Sequence, residues 1–521
     1  MESVKIKHAR ITEEEKIPLR RGKPPKLTVF NKLCFGVGGM PYQLTNTVIG
    51  FYISVFLLET AGVPPQYASA IIFSGRVWDA LTDPVIGLLV TKTDTRFGKL
   101  KPWMATAAPF AVVTFFFLWY VPDFEEDGYK LAWYLLFYCV FQTLLSSFHM
   151  PFSALTLFIT EDQAERDSAT AYRMASEVAG TLLGNIIMGQ TVFIYVKNSG
   201  ESRDCSGNAT EVPQEIIDAE IKGYMTGAGI ISGLFLICAV IVLAGTTERK
   251  PNEKITQREE PLRKAVGKVL TFGPYIKLTM AFLFFSLCIQ SIQGNLALFL
   301  KYSLGVDDYQ YVIIAILVSA FLSMPIWQHV LLRYGKKKAL AIGMTGTFPV
   351  LITWAFLPEG TLWAVYVLSI VAGNCISVAQ LLPWSMIPDV IDDFVLKTGE
   401  SYETIFYSFY VMFTKFAAGL SLSLSTLLLG VAGYKTGSCD QPESVSKTLR
   451  LLVTALPAGC VLIGFVFLWS YPITEEVRLK NKTIMEIWRD GRDDKRRVTV
   501  RKATMSRSRT RSYRTPSTTL M

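Results

Sequence analysis

Apolar stretches long enough to cross a lipid bilayer recur along this chain and constrain its fold more than any other feature. A membrane helix needs about 20 predominantly apolar residues, and short polar segments separate one such stretch from the next. Charged residues make up only 18% of the chain, against roughly 25% in soluble domains. The pattern predicts an all-α membrane protein with twelve spans, near residues 33–60, 66–91, 104–122, 130–159, 169–196, 223–246, 275–302, 309–333, 338–357, 361–387, 404–434 and 448–471.

Lysine and arginine are distributed unevenly between the predicted loops, and this distribution predicts the orientation of the chain. Segments 96–101, 249–268 and 333–338 are rich in them, whereas 123–129 and 358–360 contain none. Because short cytoplasmic loops carry the positive excess, both termini are predicted to be cytoplasmic. Residues 1–32 are polar and basic, so no secretory signal peptide is expected.

The C-terminal tail is strongly basic, with nine Lys/Arg and no acid in residues 495–514 of a chain whose formal net charge is +9. Beside a membrane such a tail attracts anionic inner-leaflet lipid. The predicted partners are therefore membrane lipid and a transported solute, not nucleic acid. We expect a monomer in the plasma membrane, with the endoplasmic reticulum as an additional location.

Two short sequence matches indicate an internal repeat. Residues 96–99 read Arg-Phe-Gly-Lys and 333–336 read Arg-Tyr-Gly-Lys, an offset of 237, while Pro-Phe-Ser at 151–153 recurs as Pro-Trp-Ser at 383–385, an offset of 232. Six helices repeated twice are typical of the major facilitator fold. The predicted organisation is an N-terminal tail (1–32), a first six-helix half (33–246), a cytoplasmic linker (247–273), a second half (274–471) and a basic tail (472–521).

Ionisable residues inside two predicted spans point to a cation site. Arg76, Asp79 and Asp83 are spaced i, i+3 and i+7 in the second span and share one helix face. Carboxylates suit a hard cation such as sodium, although they also bind protons, and an internal Arg76–Asp79 ion pair is the structural alternative. Thr414 and Lys415 in the eleventh span are assigned to the same site. A central lysine needs an anionic partner, which is either Asp79 or Asp83 or an anionic substrate head group; the structural alternative is a lysine that snorkels to the interface.

Two further groups of charges lie near the predicted cytoplasmic ends. In the fifth span, Arg166 and Asp167 are predicted to form a gate, while Arg173 either holds a phosphate or pairs with Glu177. After the tenth span, three acids are predicted to form a salt-bridge gate with the loop that carries Arg96: Asp389, Asp392 and Asp393. Arg76 is also assigned to gating.

No nucleotide-binding loop, nucleophile elbow or dinucleotide fingerprint occurs in the sequence. The chain is therefore predicted to be a transporter driven by a gradient, not an enzyme, and to need no cofactor. His149 and His329 show no metal-ligand spacing and are assigned no site.

Two cysteines differ from the six that lie in or beside apolar spans. Cys205 and Cys439 fall in the longest predicted outer loops, where an oxidising exterior permits a disulfide between the halves. Asn208 begins an Asn-Ala-Thr glycosylation sequon in the first of these loops.

Several motifs resemble the glycoside-pentoside-hexuronide cation symporters, typified by the melibiose carrier. They are Met-Pro-Phe-Ser-Ala-Leu at 150–155, Glu-Arg-Asp at 165–167, Arg173, the Asp79/Asp83 pair with Pro84, Gly-Lys-Leu-Lys-Pro-Trp at 98–103, and Pro-Asp-Val-Ile-Asp at 388–392. The resemblance covers nearly the whole chain. It implies that the aspartates form the cation site and interact with Lys415.

Segments 31–34, 138–139, 166–174 and 382–386 are similar to the lysolipid-carrying branch of that family. This resemblance implies sodium-coupled import of lysophosphatidylcholine with long-chain acyl groups, including docosahexaenoate, a head-group contact from Arg173, and a Cys205–Cys439 disulfide. A related branch exports sphingosine-1-phosphate and is the alternative. Asp79 with Asp83 favours the importer, whereas Gln142, assigned with Arg173 and Glu177 to the head group, favours the exporter.

Overall fold

The computed structural model describes residues 27–485, apart from 94, 161–162, 200–211, 249–261, 307, 401, 437 and 439–440. Its elements are α1 (Val29–Val37), α2 (Met40–Val55), a π-helical turn (Phe56–Thr60), α3 (Pro65–Lys92), α4 (Lys101–Leu118), α5 (Asp127–Phe158), α6 (Gln163–Asn198), α7 (Gln214–Gly245), α8 (Leu262–Leu270), α9 (Gly273–Leu304), α10 (Tyr309–Tyr334), α11 (Lys336–Thr345), α12 (Thr347–Phe356), α13 (Leu362–Thr398), α14 (Glu403–Val431), α15 (Glu443–Val453) and α16 (Ala455–Ser470). The prediction of an all-helical membrane fold is confirmed.

Within the described residues, ten helical stretches are long and apolar enough to cross a membrane, and two of them join neighbouring helices, as Lys336–Phe356 and Glu443–Ser470. The first predicted span is divided among α1, α2 and the π-helical turn. The second, α3, contains Arg76, Asp79 and Asp83, which lower its hydropathy. The count of twelve spans therefore stays a prediction.

The helices pack into two groups that meet along three helix pairs. In the first half α2 packs on α6, and α5 packs on α3 and α4; in the second, α10 packs on α13 and α9 on α16. The halves meet through α3 and α14, α2 and α9, and α6 and α10. Every backbone polar group in a bilayer must be bonded internally, which is why the described spans are built from helices.

The described contacts between the halves lie from the middle of the bundle to its predicted outer end, where α2 and α9 finish. Gly430 packs against Pro65, and the hydroxyls of Ser69 and Ser423 lie 2.8 Å apart. The Phe193 and Tyr311 rings meet edge to face. By contrast, α5 and α13 pack mainly within their own halves. The structure is therefore closed at the predicted outer end.

At the predicted cytoplasmic end, a glutamate after the last helix of the first half caps the N-terminus of α4. Glu248 accepts from the backbone N–H of Lys99 at 2.7 Å and of Leu100 at 3.1 Å. Gly98 precedes them at φ +111°, a conformation that favours glycine, and a Cβ there would clash with the Glu248 carboxylate. The turn thus requires glycine for both conformation and space.

The second half repeats this arrangement around α11. Glu475 accepts from the backbone N–H of Lys336, and the preceding Gly335 has φ +82°. Hydrogen bonds from Arg478 hold the pKa of Glu475 below its usual range. A lysine caps helix carboxyl ends beside each glutamate: Lys101 donates to Leu243 O and Thr246 O, and Lys337 donates to Trp469 O and Tyr471 O. We call Glu248 with Lys101, and Glu475 with Lys337, the cytoplasmic braces.

Candidate functional site

The three charged residues of α3 are buried near the middle of the helix. Arg76, Asp79 and Asp83 are 4%, 2% and 6% exposed. They lie on the face of α3 that packs against α5 and α14, as their spacing predicts. Ionisable groups at membrane depth are costly unless paired or hydrated, so this face is a candidate functional site.

Lys415 of α14 bridges the two aspartates across the boundary between the halves. Its Nζ lies 2.9 Å from Asp79 Oδ1 and 2.5 Å from Asp83 Oδ2. Ser146 of α5 completes the group, with its Oγ 3.2 Å from Asp79 Oδ1 and 2.6 Å from Asp83 Oδ1. We call these four residues the cation cluster. Three helices from two halves therefore converge on one pair of carboxylates.

The donor set of the cation cluster suits a small hard cation. Two carboxylates and a hydroxyl supply the oxygen ligands that such ions prefer. The ammonium group of Lys415 is itself a cation held between the same oxygens, so an incoming ion must displace it. The same carboxylates can also bind protons.

Arg76 and Thr414 have hydrogen-bond partners other than the aspartates. Arg76 Nη1 donates to Asn46 Oδ1 on α2 at 2.8 Å, whereas the salt bridges of Asp79 and Asp83 go to Lys415. Thr414 donates to the carbonyl of Val411 in its own helix at 2.9 Å. Arg76 therefore braces α3 against α2 in this state.

Gln142 lies one helical turn before Ser146 on α5 and is 0% exposed. Neither atom of its amide has a hydrogen-bond partner among the described residues. Eleven residues separate it from Ser153, which contacts Arg173, a distance of about 16 Å along the helix. The structure thus places Gln142 beside the cation cluster and away from the other residues assigned to a head group.

Arg173 and Glu177 form a second polar group nearer the predicted cytoplasmic end. Arg173 Nε lies 2.6 Å from Glu177 Oε1, and its Nη2 donates to Ser153 Oγ at 3.3 Å. Its guanidinium also lies over the Phe152 ring, 5.0 Å from the centroid. The two charged side chains are 19% and 22% exposed, so the arginine can reach a phosphate by exchanging its partner.

Several residues assigned to a cytoplasmic gate have a partner within their own half in this state. Asp389 pairs with Lys336 at 2.6 Å, and Arg166 donates to the carbonyl of Thr160 at 3.1 Å. Arg96 lies over the Phe97 ring. Asp392 is partly buried.

The remaining gate contacts follow the same pattern. Asp393 pairs with Lys397 at 2.7 Å and accepts from Asn481 at 3.1 Å. Asp389 and Asp393 therefore pair with lysines of the second half among the described residues, and a gate between the three acids and the Arg96 loop stays a prediction. Asp167 lies in α6, but its side chain lies outside the described residues, as do Cys205, Asn208 and Cys439.

A second ion pair across the halves was not predicted from the sequence. Glu59, in the π-helical turn, pairs with Lys301 of α9 and accepts from the hydroxyls of Tyr302 and Tyr434. We call this group the outer lock, because it joins the halves at the predicted outer end. Glu59 is 6% exposed. The sequence does contain an indication of this pair, since Glu59 and Lys301 are charged residues that both fall inside predicted spans.

Two groups of helices, joined by a buried cluster of two aspartates and a lysine, define a secondary transporter of the major facilitator class. Residues 34–475 match the family described as MFS/sugar transport protein. The chain belongs to this family, which confirms the resemblance inferred from its motifs.

Relatives over nearly the full length include lipid transporters. The sodium-dependent lysophosphatidylcholine symporter 1 of Gallus gallus is 45% identical over 490 residues, covering 91% of this chain and 92% of the relative. The protein of that name from Homo sapiens is 44% identical, covering 90% of each. The sphingosine-1-phosphate transporter MFSD2B of Xenopus tropicalis is 39% identical, covering 91% and 94%.

Solved structures support the fold. The nucleoside transporter NupG aligns with a TM-score of 0.58 at 13% identity, over 86% of this chain and all of its own. A bacterial homolog of the human lysosomal transporter Spinster, in an inward-facing and unoccupied conformation, gives a TM-score of 0.59 at 14% identity, over 87% and 97%.

Proposed function

We propose that this chain is a sodium-coupled symporter that imports lysophosphatidylcholine across the plasma membrane by alternating access. The observation that carries the proposal is Lys415 held between Asp79 and Asp83, because it places an exchangeable cation on the boundary between the halves. The names of the 45% and 44% identical relatives support both the coupling ion and the substrate. The coupling role requires no cofactor.

Sodium would bind the cation cluster by replacing the ammonium of Lys415. The two carboxylates then keep a balancing positive charge, while Lys415 loses its counter-ions. A buried ammonium without a partner is costly, so it must find another anion or move. A lipid phosphate is such an anion, and in this way sodium binding would favour binding of the lysolipid.

The lysolipid would place its phosphate near Arg173 and its acyl chain along apolar helix faces. The Arg173 guanidinium is partly exposed and held by Glu177 and Ser153, so it can take a phosphate in a planar two-bond contact. With the outer end closed, this group would be reached from the cytoplasmic side. We therefore assign this conformation to the inward-facing step of the proposed cycle, in which the cargo would be released to the cytoplasm.

The test is uptake of labelled lysophosphatidylcholine into cells that express the chain, with external sodium present or replaced by choline. We expect uptake in sodium at least tenfold above uptake in choline, after normalisation to surface protein. Equal uptake in both media would refute sodium coupling. No uptake in either, together with sodium-independent release of sphingosine-1-phosphate, would instead support the function named for the 39% identical relative.

A further inference from the structure

A continuous chain of side chains joins the cation cluster to Arg173. It begins at Tyr42 of α2, whose ring centroid lies 5.9 Å from Lys415 Nζ. The Tyr42 ring stacks on the imidazole of His149, with centroids 4.0 Å apart and ring planes 19° apart. His149 therefore contacts the ring that faces the bridging lysine.

The other side of the imidazole reaches the second polar group. His149 Nε2 lies 3.4 Å from Ser153 Oγ, and Arg173 Nη2 donates to the same oxygen at 3.3 Å. Ser146, His149 and Ser153 are spaced i, i+3 and i+7 on α5, so one helix face touches both groups.

We propose that His149 is a positioning residue that couples occupancy of the cation cluster to the affinity of Arg173 for a lipid phosphate. The inference rests on the proposed function and deepens it. When sodium takes the aspartates, the released ammonium has the π face of Tyr42 5.9 Å away, and such faces attract cations. Movement of the lysine toward Tyr42 shifts the stacked imidazole, which changes the hydrogen bond that Ser153 shares with Arg173.

Packing alone would predict something different for His149. A side chain that only fills the space between α2 and α5 contributes to stability, and its loss would weaken lipid binding equally with and without sodium. A coupling residue acts on the ratio of the two affinities, because coupling is a free energy between sites and is reciprocal. The ratio of dissociation constants in choline and in sodium is therefore the decisive quantity.

The experiment measures binding of radiolabelled lysophosphatidylcholine to the purified full-length protein in nanodiscs, in sodium and in choline. The variants are His149→Gln, which removes the ring, and His149→Phe, which keeps the stack but removes both nitrogens. His329→Gln is the matched control, because His329 is exposed on α10, outside both polar groups. Thermal unfolding of each variant is recorded alongside, and His149→Phe decides the matter if His149→Gln does not fold.

We expect both His149 variants to reduce the choline-to-sodium ratio at least fivefold, while the dissociation constant in choline changes less than twofold. His329→Gln should keep the wild-type ratio. An unchanged ratio in the His149 variants, or an equal loss of affinity in both media, would overturn the inference and leave the proposed function standing. A wild-type ratio of one would refute the proposed function and the inference with it.

Discussion

The two halves of the bundle are braced alike and charged differently. Glu248 and Glu475 each cap a helix N-terminus beside a glycine of positive φ, and Lys101 and Lys337 each cap helix carboxyl ends. Both braces lie at the predicted cytoplasmic end. The repeat thus preserves the parts that hold each half together as a rigid unit.

The centres of the halves show no such likeness. At the offset of 237 that relates the two loops, Arg76, Asp79 and Asp83 of α3 correspond to Ile313, Ile316 and Ala320 of α10.

In the three described salt bridges between the halves, the first half supplies the acids and the second supplies the lysines. Asp79 and Asp83 meet Lys415, and Glu59 meets Lys301. Among the described residues, the repeat thus preserves the scaffold, whereas the carboxylates paired across the boundary come from the first half.

The largest effect should come from removing one carboxylate of the cation cluster. We expect Asp83→Asn to lower sodium-driven lysolipid uptake at least tenfold at normal surface expression, because a single carboxylate cannot balance both a cation and Lys415. Ala320→Asn places the same side chain at the corresponding position of α10 and should retain most uptake. Initial rates in sodium and choline provide the measurement, and full uptake by Asp83→Asn would remove the functional difference between the halves.

A charge reversal at the outer lock tests whether the direction of the pairing matters. Glu59→Lys should reduce uptake about three- to tenfold, because an unpaired buried charge costs several kcal/mol. Adding Lys301→Glu restores an ion pair in which the first half supplies the lysine and the second half supplies the acid. We expect this double variant to recover part of the lost uptake rate. Uptake by the double variant that is no better than by Glu59→Lys would show that the Glu59–Lys301 pairing itself is not required.

The cytoplasmic braces should respond alike, in stability and not in sodium dependence. Glu248→Gln and Glu475→Gln remove charge-assisted contacts to helix N-termini, and each should lower stability by about 1–2 kcal/mol. Thermal unfolding of the purified variants gives the shift, and uptake in sodium and choline gives the control. A change in the sodium-to-choline uptake ratio in either variant would contradict a purely mechanical role.

The stability that Glu475 contributes should also depend on pH. Because Arg478 lowers the pKa of Glu475, the contribution of this carboxylate is present above the usual glutamate pKa and is lost only as pH falls through the lowered value. Wild-type and Glu475→Gln unfolding temperatures should therefore still differ near the usual glutamate pKa and converge on further acidification.

The smallest effect is expected where the halves meet without charge. Ser69→Ala removes a hydroxyl that donates to the Ser423 carbonyl at 2.9 Å. A neutral hydrogen bond contributes about 0.5–1.5 kcal/mol, so uptake should change less than twofold. A loss as large as that of Glu59→Lys would mean that contact, and not charge, holds the outer end closed.

The fold and the centre of the site could be read from the sequence because lipid imposes simple rules. Apolar stretches of bilayer length identify the spans, and a charge inside one needs a partner. Asp79, Asp83 and Lys415 stand out on that basis, and the structure brings them together. The repeated Arg-aromatic-Gly-Lys segment likewise indicates two halves without any knowledge of their packing.

The choice of partners could not be read in this way. Arg76 contacts Asn46, and Glu59 contacts Lys301, because of how α2, α3 and α9 cross, and sequence spacing holds no information about helices far apart in the chain. Ser146 is an ordinary hydroxyl until α5 is placed beside α3. The expected contact of Asp389 with the Arg96 loop depends on a conformation in which the cytoplasmic ends meet.

The lysine between the aspartates has a consequence for the membrane potential. Lys415 and Arg76 together balance the negative charges of Asp79 and Asp83, so these four side chains carry no net formal charge in the state described. One sodium ion with a zwitterionic lysolipid adds a single positive charge. Moving one elementary charge through 100 mV is worth about 2.3 kcal/mol. An inside-negative voltage would thus drive the loaded carrier inward, while the empty carrier returns without electrical work.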